Sequence, residues 1–121
     1  TGFLKKGARG VRIEISKKEN EVLLSDFSLW HSVLNYWQIT DSEKEDEDFD
    51  RMLKLNNIKF VDKGKYTPEL KQKVEESWDK IFDMNYSTEY AARPFDKKYI
   101  QATFWKLSID EVRKVEVFTA R

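Results

Sequence analysis

Apolar residues recur with two different spacings in this chain, and the two spacings occupy different segments. Near the start, Val11, Ile13 and Ile15 alternate with polar residues, and near the end Val115 and Val117 do the same. Period-two alternation places the apolar side chains on one face of an extended strand. Both ends of the sequence therefore predict β-strands that have one buried face and one face in water.

Helical spacing appears further along the chain. Phe27, Trp30, Leu34 and Trp37 follow one another at intervals of three, four and three residues, directly after Asp26. Aspartate is a residue type that caps helices, and this spacing puts the four large side chains on one stripe. We therefore expect a helix here, with this stripe buried, to be the main anchor of the core.

A second helix is signalled by Thr67-Pro68-Glu69, in which Thr caps, Pro takes the first helical position and Glu faces the positive end of the dipole. The spacing predicts a helix over residues 68–83. Its apolar face would consist of Leu70, Val74, Ser77, Trp78, Ile81 and Phe82.

Between and after these helices the pattern predicts a brief strand over 58–61, an irregular segment over 84–98 and a strand from Tyr99 to Leu107. Both faces of the last strand carry bulk, which predicts a central position in the sheet. The order of elements does not follow a βαβ repeat. We expect one α+β domain over residues 1–121, with a mainly antiparallel sheet flanked by two main amphipathic helices.

Composition excludes several classes of protein. The 22 basic and 22 acidic residues cancel, there is no cysteine, and there is one histidine. A uniformly basic nucleic-acid binder, a disulfide framework and a thiolate metal site are therefore excluded, so nucleic acid is an unlikely partner and no metal is expected. No apolar run is long enough for a membrane span. Without cysteine or a visible signal peptide, we expect a cytoplasmic protein that has no membrane partner.

Residues 41–50 contain seven acids and one lysine. Ser42 is placed to cap a helix whose apolar stripe would contain Phe49, Met52 and Leu53. The run could contact a basic partner or a divalent cation, but it lacks the pattern of a calcium-binding loop. We favour a hydrated helix face.

Two groups of residues are candidates for binding a ligand. In the first, Asp26 and Trp30 are one helical turn apart, and His31 and Asn35 are also one turn apart. His31 could transfer a proton while Asn35 orients it or a ligand. The alternative, which we favour, is structural: Asp26 caps the helix, Trp30 is in the core, and His31 makes a local hydrogen bond.

The second group lies on the strand near the end of the chain. Gln101, Thr103 and Trp105 share one face, and an amide, a hydroxyl and an indole could together hold a nucleotide base. Arg93 would then lie near a pyrophosphate. The favoured alternative is a second packing layer beneath a helix.

Several stretches together resemble a bacterial family known as domain-of-unknown-function family 3841. They are residues 23–35, 75–83, 100–107, 110–112 and 115–121, and the Ser-Asp-Phe, Trp-His and Leu-Asn cluster of the first is the most specific. The resemblance implies no activity. It implies that members are longer at the N-terminus, so we expect this chain to be the C-terminal portion of a longer family domain.

The outline of the family is also similar to ADP-ribosyltransferase-like folds, which hold NAD in a cleft and supply a glutamate from a late strand. The comparable strand here has Gln101 instead, which departs from that pattern. We therefore expect a non-catalytic module that binds a small molecule or a protein, with no cofactor. The alternative is an NAD-using enzyme with a cleft around Gln101 and Trp105.

Overall fold

A computed structural model describes residues 4–121, which contain both helices and strands in separate stretches. The strands are β1 (Arg9–Ile15), β2 (Leu23–Asp26), β3 (Ile100–Thr103) and β4 (Val112–Thr119). The α-helices are α1 (Phe27–Leu34), α2 (Glu43–Leu55) and α3 (Pro68–Ser77). The strands are antiparallel and form two small sheets, which confirms the α+β class.

The chain divides into two units. One unit consists of residues up to Leu23 together with Thr103–Arg121, and the other is the continuous segment Leu24–Ala102. The expected single domain over 1–121 stays a prediction.

The first unit is built on an antiparallel ribbon of β1 and β4. Val11 lies opposite Val117 and Ile13 lies opposite Val115, which confirms the two strands predicted from alternation. All four side chains are 50–62% exposed, so the predicted burial of this face is wrong. Alternation reports which side chains share a face, but a second layer must cover that face before it is buried.

Helix α1 begins as the sequence predicts but ends early. The Asp26 carboxylate accepts hydrogen bonds from the backbone N–H groups of Ser28 and Leu29, as an N-cap does. The helix stops where Tyr36 adopts a φ of 55°. Because Trp37 lies beyond that turn, the predicted stripe does not form.

Exposure shows which face of α1 is buried instead. Phe27 and Leu34 are 42% and 68% exposed, whereas Leu29 is 6% exposed. Trp30 packs, half-buried, against the cluster that contains Leu29 and Ile81. The expected burial of the Phe27, Leu34 and Trp37 stripe is therefore wrong.

Helices α2 and α3 supply the larger buried cluster, so the expectation that α1 is the main anchor is also wrong. Ser42 and Thr67 cap these helices, as predicted. The buried members of the cluster are Phe49, Leu53, Ile58, Tyr66, Leu70 and Val74. A fully buried aliphatic or aromatic side chain contributes about 1.5–3 kcal/mol, so six such residues form the main source of stability in this unit.

The second predicted helix is shorter than its periodicity suggests. α3 ends at Ser77, and Trp78–Ile81 continues as a tighter 3-10 turn. Phe82 is 45% exposed, outside the predicted apolar face. Residues 58–61 form no strand, because no other strand pairs with them in the described part of the chain.

The strand predicted from Tyr99 to Leu107 is reduced to β3, and β3 pairs with β2 alone. A central position is therefore wrong. That prediction was based on the large side chains on both faces of the strand. In the structure, Ile100 is 41% exposed, and Trp105, which lies beyond the end of the strand, is fully exposed.

Candidate functional site

The segment Leu24–Ala102 contains a cavity of about 530 Å³ that is partly open to solvent. Its buried wall contains Leu29, Ile39 and Phe49, which are 3–6% exposed. Trp37 and Phe60 also line it and are 42% and 41% exposed. The cavity therefore has an apolar floor and two aromatic side chains that remain accessible from solvent. We call it the Trp37 cavity.

The segment after α1 is held in place by hydrogen bonds from α3 and the turn that follows it. The Ile39 N–H donates to Ser77 Oγ over 2.9 Å, and the indole N–H of Trp78 donates to the Trp37 carbonyl over 2.8 Å. Lys80 Nζ donates to the Ile39 carbonyl over 3.2 Å. Because the backbone is fixed on this side, Trp37 and Ile39 form a pre-positioned wall of the cavity.

The two accessible aromatic rings lie against each other. The ring centroids of Trp37 and Phe60 are 6.2 Å apart, and the ring planes are inclined by 36°. Lys63 Nζ lies 3.6 Å from the centroid of Phe60, and burial lowers the pKa of this ammonium group. Aromatic rings hold flat apolar groups and cations by stacking and by their negative faces.

Carboxylates of α2 supply the charged part of the cavity wall. Asp46 and Asp50, one helical turn apart, both line it. The Tyr90 hydroxyl donates to Asp46 Oδ2 over 2.5 Å, and Thr40 Oγ1 donates to Asp46 Oδ1 over 3.4 Å. Both donors are uncharged hydroxyl groups, so neither contact places a cation beside Asp46.

Asp46 and Asp50 differ from Asp48, which pairs with Lys44 and Arg51. Among residues 4–121, the ion pairs include neither Asp46 nor Asp50. The hydrogen bond to Asp46, followed by burial and by nearby carboxylates, raises the pKa of Tyr90 to about 12. At neutral pH, Tyr90 therefore remains a hydrogen-bond donor beside an anionic wall.

The four residues of the first predicted group make mainly local contacts. His31 Nδ1 hydrogen-bonds the carbonyl of Phe27, four residues earlier, over 3.1 Å. Asn35 Nδ2 donates to the His31 carbonyl over 2.7 Å, at the end of α1. Asp26 caps the helix and Trp30 is half-buried. All four side chains therefore have the local roles of the favoured structural interpretation, and a ligand role for them stays a prediction.

Asp26 and Arg93 do meet at a second, smaller depression, which has a volume of about 130 Å³ and is also lined by Ser28 and Lys98. Small-molecule sites usually occupy roughly 300–1,000 Å³, so a nucleotide does not fit this depression. The guanidinium of Arg93 lies 5.3 Å from the ring centroid of Tyr99.

Of the second predicted group, Gln101 is half-buried and Thr103 is exposed. Trp105 is 102% exposed. These three residues line neither the Trp37 cavity nor the depression at Asp26. A ligand role for them, and NAD as a cofactor, stay predictions that no contact described above supports.

Sequence reasoning missed most of the Trp37 cavity. Asp46 and Asp50 fell within the acidic run, for which a basic partner was one alternative. Gln38, Thr40, Phe60 and Tyr90 belong to no motif and to no regular element. No pattern in the sequence indicates that these separate segments share one cavity.

Two further observations concern metal binding and membrane spanning. Among residues 4–121, no three histidine, cysteine, aspartate or glutamate side chains are gathered in a way that could hold a metal ion. In the same part of the chain, every helix is too short or too polar to cross a bilayer.

Comparison with known proteins yields one match. The model of a family described as "Domain of unknown function (DUF3841)" matches residues 1–113. No curated protein and no solved structure matches the chain.

Proposed function

Because the chain belongs to the DUF3841 family, whose description assigns no activity, we propose from its own geometry that it is a non-catalytic module that binds a small molecule. The ligand would occupy the Trp37 cavity. We further propose that the module acts in the bacterial cytoplasm, which the absence of cysteine and the family resemblance support.

The observation that carries this proposal is the lining of the cavity, since a suitable size is shared by the neighbouring depression of about 610 Å³, which three lysines line. A volume of about 530 Å³ lies within the range of roughly 300–1,000 Å³ that is typical of small-molecule sites. Such sites combine apolar walls with a few fixed polar groups. Here the apolar floor of Leu29, Ile39 and Phe49 is combined with the Asp46–Tyr90 pair.

The same polar pair supports binding over catalysis. A general acid works best when its pKa is near the working pH, and a pKa of about 12 keeps Tyr90 from giving up its proton at neutral pH. His31, the one histidine of the chain, is hydrogen-bonded within α1 to the Phe27 carbonyl.

A fragment screen followed by NMR tests the proposal. We expect small aromatic compounds at millimolar concentration to shift the indole N–H signal of Trp37 and the backbone signals of Ile39 and Thr40. Ala91→Phe should abolish these shifts because Ala91 lines the cavity. Ala102→Phe is the matched control, since Ala102 is exposed on β3 and outside the cavity.

The proposal is wrong if no compound shifts these signals, or if the shifts survive Ala91→Phe. Trp37→Phe assigns the indole signal among the four tryptophans.

A further inference from the structure

We propose that the ligand of the Trp37 cavity is an organic cation, an ammonium or guanidinium group on a flat apolar body, whose charge contacts Asp46 while its body packs against Trp37. This inference rests on the proposed function and names the class of ligand.

Asp46 is the reason for the positive charge. A carboxylate has about four acceptor positions, and the two hydroxyls of Tyr90 and Thr40 fill two of them. Neither hydroxyl neutralises the charge, and the ion pairs within residues 4–121 leave Asp46 out. The Asp46 side chain is exposed to solvent at the wall of the cavity, so a ligand that brings a cation can reach its free acceptor positions and form a charge-assisted hydrogen bond there.

The aromatic wall is the reason for the flat apolar body. Trp37 exposes 42% of its surface and lines the cavity beside Ile39, which is buried. An indole face accommodates both a stacked ring and the edge of a cationic group. A ligand with both parts therefore matches both parts of the wall at once.

Lysine residues near Asp50 are the reason that we expect the ligand's cation to bind Asp46 and not Asp50. A neighbouring depression shares Asp50 and Phe60 with the Trp37 cavity and is lined by three lysines. These are Lys54, Lys59 and Lys65. Lys63, over the ring of Phe60, adds a fourth cation nearby. Asp50 lies close to these charges, whereas Asp46 is surrounded by Tyr90, Thr40 and the negative first turn of α2.

Three probes that share a phenyl ring on a two-carbon chain differ in the charge of the head group: phenethylamine is a cation, 2-phenylethanol is neutral and 3-phenylpropionate is an anion. We expect phenethylamine to bind about threefold more tightly than 2-phenylethanol, as an ion pair with an exposed carboxylate allows. The propionate should bind more weakly than either. Dissociation constants would be measured from the Trp37 indole signal in NMR titrations.

Asp46→Asn should remove the threefold preference, so that phenethylamine and 2-phenylethanol bind with similar affinity, and the backbone NMR signals of the variant show whether the cavity is intact. Asp48→Asn is the matched control. It lies on the same helix, pairs with Lys44 and Arg51, and does not line the cavity, so it should keep the preference.

The outcomes distinguish this inference from the proposed function. If 2-phenylethanol binds as tightly as phenethylamine, or if Asp46→Asn keeps the preference, the cavity binds ligands but the cation inference is wrong. If none of the three probes shifts the Trp37 signal while other fragments do, the cation inference alone is wrong; if no fragment shifts it, the proposed function is wrong as well. Should Asp46→Asn unfold, Tyr90→Phe replaces it: this variant leaves Asp46 charged and should therefore retain the preference for the cation. Loss of that preference in Tyr90→Phe would contradict the inference.

Discussion

Lys98 and Asp26 form a buried ion pair, in which Nζ and Oδ2 lie 2.9 Å apart and the two side chains are 0% and 3% exposed. Lys98 also donates to the Tyr86 carbonyl over 2.7 Å, and Asp26 accepts from two N–H groups of α1. Buried charges are tolerated where hydrogen bonds replace the lost water, as they do here. The ion pair therefore links the irregular segment 84–98 to the first turn of α1.

Lys98→Met should lower the free energy of unfolding by about 3–5 kcal/mol, because it leaves the Asp26 carboxylate buried without its cation. Urea denaturation measures the change. Lys97→Met is the control, since Lys97 is exposed and should change stability by less than about 0.5 kcal/mol. Equal effects of the two substitutions would contradict a stabilising role for the buried pair.

Leu53→Ala should lower the free energy of unfolding by about 2–5 kcal/mol, because Leu53 is 2% exposed within the main cluster and the substitution leaves a cavity. Leu55→Ala, two residues further along α2, is the control, since Leu55 is 81% exposed. Thermal unfolding of both variants measures the difference. A similar loss at the two positions would mean that the core is not where the structure places it.

Thr67→Ala should cost about 1 kcal/mol of stability, because Thr67 Oγ1 accepts from the Leu70 N–H at the start of α3. Thr67→Gly should cost only a few tenths of a kcal/mol, since glycine is itself a tolerated N-cap. Denaturant melts of both variants test the cap. If glycine is the worse of the two, the hydroxyl is not what caps this helix.

Alkaline pH should destabilise the segment Leu24–Ala102 through Tyr36. The Tyr36 hydroxyl donates to Glu75 Oε1 over 2.5 Å, and this bond, with burial and the charge of Glu75, raises the pKa of Tyr36 to about 12 from 10.0. The folded state thus holds the phenol proton more tightly than the unfolded state. The resulting stabilisation is fully present below pH 10 and is lost as the pH rises towards 12.

Glu75→Gln should reduce that loss, because it removes the carboxylate that raises the pKa of Tyr36. Glu76→Gln is the control, since Glu76 accepts a hydrogen bond from Gln72. Stability measured in urea at several pH values between 10 and 12 compares the variants with the parent chain. An unchanged alkaline slope in Glu75→Gln would exclude Tyr36 as its source.

Local sequence signals predicted the starts of helices well. Asp26, Ser42 and Thr67 were all identified as caps, and each accepts a backbone N–H within its own first turn. Capping depends on residues three apart in the chain, so the sequence alone contains the information.

Helix ends were predicted less well, since they depend on backbone geometry or on distant contacts. α1 ends at Leu34, two residues before Tyr36, which adopts the left-handed conformation that glycine or asparagine usually provides. α3 stops at Ser77, whose hydroxyl donates to the Val74 carbonyl and accepts from the distant Ile39 N–H. Neither position carries a stop signal that sequence reasoning would recognise.

The Trp37 cavity could not be predicted for a related reason. Asp46 and Tyr90 are 44 residues apart in the chain, yet they share a hydrogen bond. The spacing of apolar residues describes one element at a time. It extended the predicted helix through Trp37, which in the structure lies beyond α1 and lines the cavity. A site assembled from several loops is visible only once those loops are placed.

The continuous segment Leu24–Ala102 starts in β2 and stops in β3, and these two strands are hydrogen-bonded to each other. Its two termini are therefore neighbours in space, although 78 peptide bonds separate them along the backbone. The coding sequence for a segment of this kind can be exchanged between genes as one unit, because the two ends of the segment already lie together in the folded protein. Recombination at these two positions would transfer the Trp37 cavity whole.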